Sequence, residues 1–278
     1  MLGAISLVAI VLVTLLIPGH STAIASASPS PAGSAVATAS GSAAASTSSS
    51  EPASLDPTPE PSHDPLVPPA TLTGYVWPLD APVITTPFGP SEWGDFFYEG
   101  QRFHDGVDMA SNCGDPVYAA HDGKVLATGT TYDDQMGWVE SLQPYKDLFN
   151  RKHWWSSLPL TIVIDDGDGF RSVYAHEYKI TVKVGQQVKA KQIIGYEGAT
   201  GNATGCHVHF GLFNPNEIAT FSLDPGIVKR DLLPEHEVAR VNPFYVLPFR
   251  CEIEEMRALY PDKAASCPVI PTAMPTKK

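Results

Sequence analysis

The first fifty residues of this 278-residue chain carry no charge, and that asymmetry limits where a folded body can form. No Lys, Arg, Asp or Glu precedes Glu51, and the first basic residue is Arg102. All 48 charged side chains, 18 basic and 30 acidic, therefore follow Ser50. That leaves a body of roughly 200 residues, ample for one buried core. The net charge of −12 comes without a Lys/Arg cluster that could release counterions from a phosphate backbone. Nucleic acid is not an expected partner.

Residues 2–17 are apolar apart from Gly3, Ala4, Ser6 and Thr14, and the run ends at Pro18-Gly19. This length suits a secretory h-region and only touches the lower limit of about 17 residues for a membrane span. Ala23-Ile24-Ala25 and Ala25-Ser26-Ala27 both fit a small-residue cleavage site. No Lys or Arg stands ahead of the run, so an uncleaved anchor is the alternative to a cleaved signal peptide over 1–27. Residues 28–72 are rich in Ser, Ala, Thr and Pro. They have too little apolar bulk to offset the entropy of ordering, and read as a disordered linker.

Beyond the linker, short strand-like runs alternate with turn residues. They cover 73–77, 116–120, 124–128, 160–164, 170–175, 192–196 and 207–212, with Asp122-Gly123, Asp166-Gly167 and Asp168-Gly169 as turn signals. The pattern predicts an all-β fold: an antiparallel two-sheet sandwich or barrel-like body with a groove. A helix is expected over 137–152, bent or interrupted at Pro144, and a second short one over 250–260. Cys113, Cys206, Cys251 and Cys267 all lie in this part. In an exported chain an even count suggests two disulfides, and four cysteines allow three connectivities. The lack of a CxxC pair argues against a structural zinc site built on all four cysteines.

His207-Val208-His209 lies in an apolar strand-like run, where alternate side chains share a face, so both imidazoles project together about 6.6 Å apart. Alone the pair is weak, since nine histidines give roughly 0.3 such pairs by chance. Upstream, His104-Asp105-Gly106-Val107-Asp108 sets an imidazole and a carboxylate four residues apart, and His176 ends another predicted strand. Two imidazoles and a carboxylate form a ligand set that zinc accepts, with a fourth position open. His121 and His153 read as ordinary surface or packing residues.

Together these residues resemble the lysostaphin-like (LytM-type, M23) zinc metallopeptidases. His104-x-x-x-Asp108, His176 and His207-x-His209 occur in the order of that family. The flanks match as well: Pro87-Phe88-Gly89, the strand-turn-strand over 115–125, the hairpin over 184–195, and Thr200-Gly201 with Thr204-Gly205 before the final pair. The likeness runs from about Trp77 to Leu212. It implies that His104, Asp108 and His209 hold one zinc ion, while His176 and His207 are catalytic and face the reacting water. Which of the two is the main base stays open. The implied activity is hydrolysis of peptide bonds in bacterial cell-wall peptidoglycan by a monomer that is secreted or in the cell envelope. Membrane contact would come only through an uncleaved N-terminal segment.

Some relatives have lost their ligands and regulate other wall hydrolases. A catalytically silent module that binds wall or regulates such enzymes is therefore the alternative, although all five positions are kept here. A biotinyl- or lipoyl-type carrier, suggested by the 184–195 hairpin, lacks a modifiable lysine motif and leaves the histidines unexplained. Against the family pattern, Cys206 replaces a Pro and Ser91 stands where many relatives carry Arg. The favoured disulfides are Cys113–Cys206 and Cys251–Cys267. The expected layout is a peptidase domain over 73–250, with an aromatic-rich insertion at 131–158 and a C-terminal extension over 251–278. The insertion reads first as a satellite core and second as a groove wall that selects substrate.

Overall fold

The computed structural model describes residues 66–216, 221–236 and 238–268. The segment expected as signal peptide or anchor lies outside them, as does most of the 28–72 linker. In chain order the first strands are β1 (Val83–Thr86), β2 (Gly89–Pro90), β3 (Phe96–Tyr98), β4 (Gln101–His104) and β5 (Gly106–Ala110). Next come β6 (Pro116–Tyr118), β7 (Gly123–Gly129), β8 (Thr161–Gly167), β9 (Phe170–Ala175) and β10 (Lys179–Ile180). The last are β11 (Gln187–Val188), β12 (Ile193–Tyr196), β13 (Val208–Asn214), β14 (Ser222–Leu223) and β15 (Ala239–Val241). Their pairings are antiparallel, as the alternating pattern predicts. They divide among an eight-stranded sheet, β1-β5-β13-β9-β8-β7-β11 with β15 on β13, a three-stranded sheet, β10-β12-β6, and a four-stranded sheet, β14-β3-β4-β2.

Period-two alternation gives the large sheet two chemically different faces. Val107 and Met109 of β5, Ile162 and Ile164 of β8, and Val208, Phe210 and Leu212 of β13 are fully buried in the main core. Val117 and Ile194, from the small sheet, pack into the same core. The intervening residues, Asp108 of β5 and His209 of β13, point to the opposite face and remain partly accessible. Farther along that face Phe213 joins Val163, Val173 and Ala127 in a second apolar cluster. Truncating Phe210 would cost about 3–5 kcal/mol of stability, the usual range for a buried aromatic.

The hairpin between β8 and β9 shows local sequence deciding local structure. Gly167 pairs with Phe170, leaving a two-residue loop of Asp168 (φ 52°) and Gly169 (φ 84°). Two positive φ angles define a type I′ turn, which Asp-Gly favours.

Other expectations need correction. Residues 73–77 form no strand: Val76 donates one backbone bond to Ala120, and Pro78, two residues on, has no N–H to extend a ladder. Tyr75 and Trp77 are nonetheless buried, the indole bonding to the carbonyl of Pro248 at 2.8 Å. The insertion helix, α1, spans only Gln143–Lys152, with Pro144 in its first turn. Pro starts this helix instead of bending it, because first-turn N–H groups need no partner within the helix. A further helix, α2 (Pro225–Asp231), has no counterpart among the sequence expectations; Asp224 caps it by accepting from the Gly226 N–H. The short helix expected within 250–260 is present as α3 (Glu254–Leu259), and α4 (Pro261–Ala264) follows beyond that range.

The insertion builds its own small core, as expected: Leu142, Tyr145, Leu148 and Phe149, covered by Trp138, Trp155, Leu158 and Leu233. Both disulfides have the favoured pairing, Cys113–Cys206 and Cys251–Cys267. The first closes a loop over a sequence separation of 93 residues, the second over 16. On chain-entropy grounds the long loop contributes the more, about 4–5 kcal/mol against about 3.

One polar network crosses the main core. Tyr75 Oη and Ser172 Oγ each donate to Asp166 at 2.8 Å, and the Ala120 N–H donates to Tyr174 Oη at 2.7 Å. Burial pushes the Asp166 pKa up to about 8, against the bonds from Ser172 and Tyr75 that favour the carboxylate. A carboxyl whose pKa is higher folded than unfolded stabilises most below its unfolded value near 3.9. That contribution falls by up to about 1.4 kcal/mol per pH unit until the folded pKa is passed. Asp166→Asn should remove this decline, so urea unfolding should favour the variant over wild type by several kcal/mol more at pH 8 than at pH 5. An unchanged difference between the two pH values would refute it.

Candidate functional site

The register of three strands brings the predicted residues together. His209 on β13 lies directly across from Asp108 on β5, and on its other side across from Ala175, the last residue of β9. His176 follows Ala175 with a left-handed backbone (φ 71°), so its ring leaves the strand's alternation. His104 ends β4, paired with Gly89 of β2. His207 bridges to Gly198 just before β13. Cys206, immediately before it, is tied to Cys113.

Three donor atoms converge. His104 Nε2 lies 3.0 Å from His209 Nδ1 and 3.1 Å from Asp108 Oδ1, and His209 Nδ1 lies 3.0 Å from that oxygen. The partners of the other ring nitrogens decide what these atoms present. His104 Nδ1 is 3.0 Å from the carbonyl of Pro87, so it carries the proton and Nε2 presents a lone pair. His209 Nε2 faces Asp105 Oδ1 at 3.6 Å, which favours an N–H there and leaves Nδ1 bare. Two lone pairs and a carboxylate oxygen then converge on one point, where like partial charges repel. Such a triangle requires a positive charge at its centre.

The titration directions express the same requirement. Burial alone would raise Asp108, but in the ion-free site protons shared with the His104 and His209 rings hold it far below the usual carboxylate range. Burial alone would lower His209, but Asp108 and Asp105 together raise it. The donor set also suits a metal. Two imidazoles and one carboxylate are a zinc ligand set, and edges of 3.0–3.1 Å approach the ~3.3 Å between ligands of a tetrahedral ion bound at about 2.0–2.1 Å. Among the described residues these three are the one group able to hold a metal in this way.

His176 and His207 flank the triangle. Their ring centroids are 4.5 Å apart, and His207 Nε2 is 3.8 Å from Asp108 Oδ1. Each donates its Nδ1–H to a backbone carbonyl, His176 to Thr200 at 2.7 Å and His207 to Gly205 at 3.0 Å. Each Nε2 is thereby left as a proton acceptor. Burial pushes the His176 pKa down to about 4, so this ring is neutral at neutral pH. The structure brings all five predicted residues into one site. His121 stacks on Tyr75 at 4.6 Å and His153 ends α1 with a left-handed backbone, both in the ordinary roles expected.

Two contributors escape the sequence reading. Asp105 stands there only as a residue between His104 and Asp108, and Arg240 carries no expectation at all. Burial alone would raise Asp105, but Arg240 and then His209 hold it below the usual carboxylate range. The available signal is Arg240 itself, a lone cation inside the apolar run Val238-Ala239-Arg240-Val241. Gly106 has a steric role as well. A Cβ there would lie 2.7 Å from both the ring of His209 and the carbonyl of Phe210.

A β-sheet face bearing a His-Asp-His donor triangle flanked by two imidazoles defines a candidate metallohydrolase site. Residues 102–220 match the model of peptidase family M23, and the chain carries an M23 peptidase domain. Over 111 residues it is 38% identical to the glycyl-glycine endopeptidase ALE-1 of Staphylococcus capitis, covering 38% of this chain and 24% of that one. It is 36% identical over 107 residues to the peptidoglycan DD-endopeptidase ShyB of Vibrio cholerae, covering 38% of this chain and 20% of that one. It is also 30% identical over 139 residues to the murein hydrolase activator NlpD of Escherichia coli, covering 50% and 28%. The match thus spans between 20% and 28% of the length of these three relatives.

Gly106→Ala should displace the His209 ring while leaving the main-core face of β5 intact. The expected result is a zinc dissociation constant at least about tenfold weaker by chelator competition, with a cooperative unfolding transition retained. Wild-type zinc affinity in this variant would show that the ring has room to spare.

Proposed function

We propose that the protein is an exported zinc metalloendopeptidase that hydrolyses peptide bonds in bacterial cell-wall peptidoglycan. The observation that carries the reading is the donor triangle of His104, Asp108 and His209, with two proton-accepting imidazoles beside it. The domain match and the endopeptidase relatives support the substrate class. Two disulfides support an extracytoplasmic setting.

On this reading His104 Nε2, Asp108 Oδ1 and His209 Nδ1 hold the ion. Zinc bound there supplies Lewis acidity, polarising the scissile carbonyl and making water acidic enough to attack at neutral pH. The Nε2 atom of one of the two rings, His176 or His207, takes up the single proton that the attacking water releases. The resulting imidazolium steadies the negative charge on the carbonyl oxygen and returns the proton to the leaving amine. The carbonyls of Thr200 and Gly205 hold both rings in the acceptor tautomer throughout. A neutral His176 fits the role of acceptor, because a ring already protonated at the working pH could not take the proton.

His209→Ala and Asp108→Ala should abolish zinc binding. His176→Ala and His207→Ala should keep zinc and lose about 10²–10⁴-fold in turnover. Elemental analysis of the four purified variants, with zymography on purified wall with and without chelator, reads both effects. A zinc-free His207→Ala protein would reverse the assignment within the His-x-His pair. Zinc-loaded wild type that clears no wall but stimulates another wall hydrolase would favour the activator reading that NlpD represents.

A further inference from the structure

We infer that the buried Arg240–Asp105 pair is a positioning device for His209, fixing its ring so that the segment after the family-matched residues completes the metal site. The inference rests on the zinc reading above and adds to it a supporting layer drawn from a different part of the chain. Asp105 sits between β4 and β5, the strands that carry His104 and Asp108. Its carboxylate spans two partners: Oδ1 lies 3.6 Å from His209 Nε2, and Oδ2 lies 3.4 Å from Arg240 Nε. The metal-facing nitrogen of His209 is the opposite one, so whatever fixes Nε2 also aims Nδ1.

Arg240 lies outside the matched span of 102–220. It is 2% exposed, and its guanidinium lies between the rings of Phe96, at 4.6 Å, and Phe213, at 5.0 Å. A cation buried this deeply is costly unless a charge partner holds it, and the carboxylate beside it is Asp105. Arg240 is on β15, across from Phe213 of β13, the strand that also bears His209. One register therefore places both ends of the chain from guanidinium to carboxylate to imidazole. The same segment is anchored at His236, whose Nε2 donates to the Met136 carbonyl in the insertion at 2.6 Å.

The test compares wild type with Asp105→Asn, Arg240→Met and the double variant, all as the full chain. Three quantities are read: the zinc dissociation constant by chelator competition, the urea unfolding midpoint, and the His209 Nε2–H signal of the zinc-loaded protein by nitrogen-15 NMR. Asp105→Asn should weaken zinc about 10–100-fold and remove the protected Nε2–H signal. The double variant, with no buried charge left unpaired, should regain most of the unfolding midpoint while its zinc affinity stays at least about tenfold weak. Wild-type zinc affinity and an intact Nε2–H signal in Asp105→Asn, or full recovery of affinity in the double variant, would overturn the inference and leave the pair purely structural. Wild type that takes up no zinc in the same titration would instead overturn the metal reading on which the pair's role depends.

Discussion

Three electron-rich atoms held 3.0–3.1 Å apart are the constraint around which this domain is organised. Left alone they repel, and folding brings them together because each is fixed from behind by something else. The Pro87 carbonyl holds one ring, the Asp105 carboxylate faces the other, and a sheet register sets the aspartate across from His209. Stability supplied by the main core is thus used to maintain a locally unfavourable arrangement, as a preorganised binding site requires. A proton partly satisfies the triangle, which is the physical meaning of the raised His209 and lowered Asp108. A divalent ion satisfies it more fully.

The large sheet accomplishes this by keeping two kinds of chemistry on opposite faces. Along β13, Val208, Phe210 and Leu212 enter the core, while His209, Gly211 and Phe213 face the other way. A one-residue slip of this strand would bury the imidazole and expose phenylalanine, so core and site specify the same register. Gly106 shows how close the tolerance is, since the ring of His209 occupies the space a side chain would need. His176 departs from the pattern, and its left-handed backbone lets a residue at a strand end turn toward the site.

Much of this is legible in the sequence because it rests on local rules. Strand parity places His207 and His209 on one face, Asp168-Gly169 announces its hairpin, and the His-x-x-x-Asp spacing finds two site residues. What stays hidden depends on distant pairings. Arg240 meets Asp105 from far along the chain, and nothing near either residue announces the other. Residues 73–77 have the composition of a strand, yet they serve through two anchored aromatic side chains. Pro144 has the composition of a helix breaker, and its position makes it a helix starter. In both places a propensity read without its tertiary setting misleads.

The Cys113–Cys206 bond closes a ring beside the site, with one cysteine shortly after Asp108 and the other next to His207. His176, the aromatic insertion and both hairpins that follow it all lie inside that ring. A protease that cut one peptide bond in the insertion would therefore release nothing. The two pieces would stay joined beside His207, and the strands carrying His104, Asp108 and His209 lie beyond the cut on either side. A nick in the most aromatic loop would be survivable.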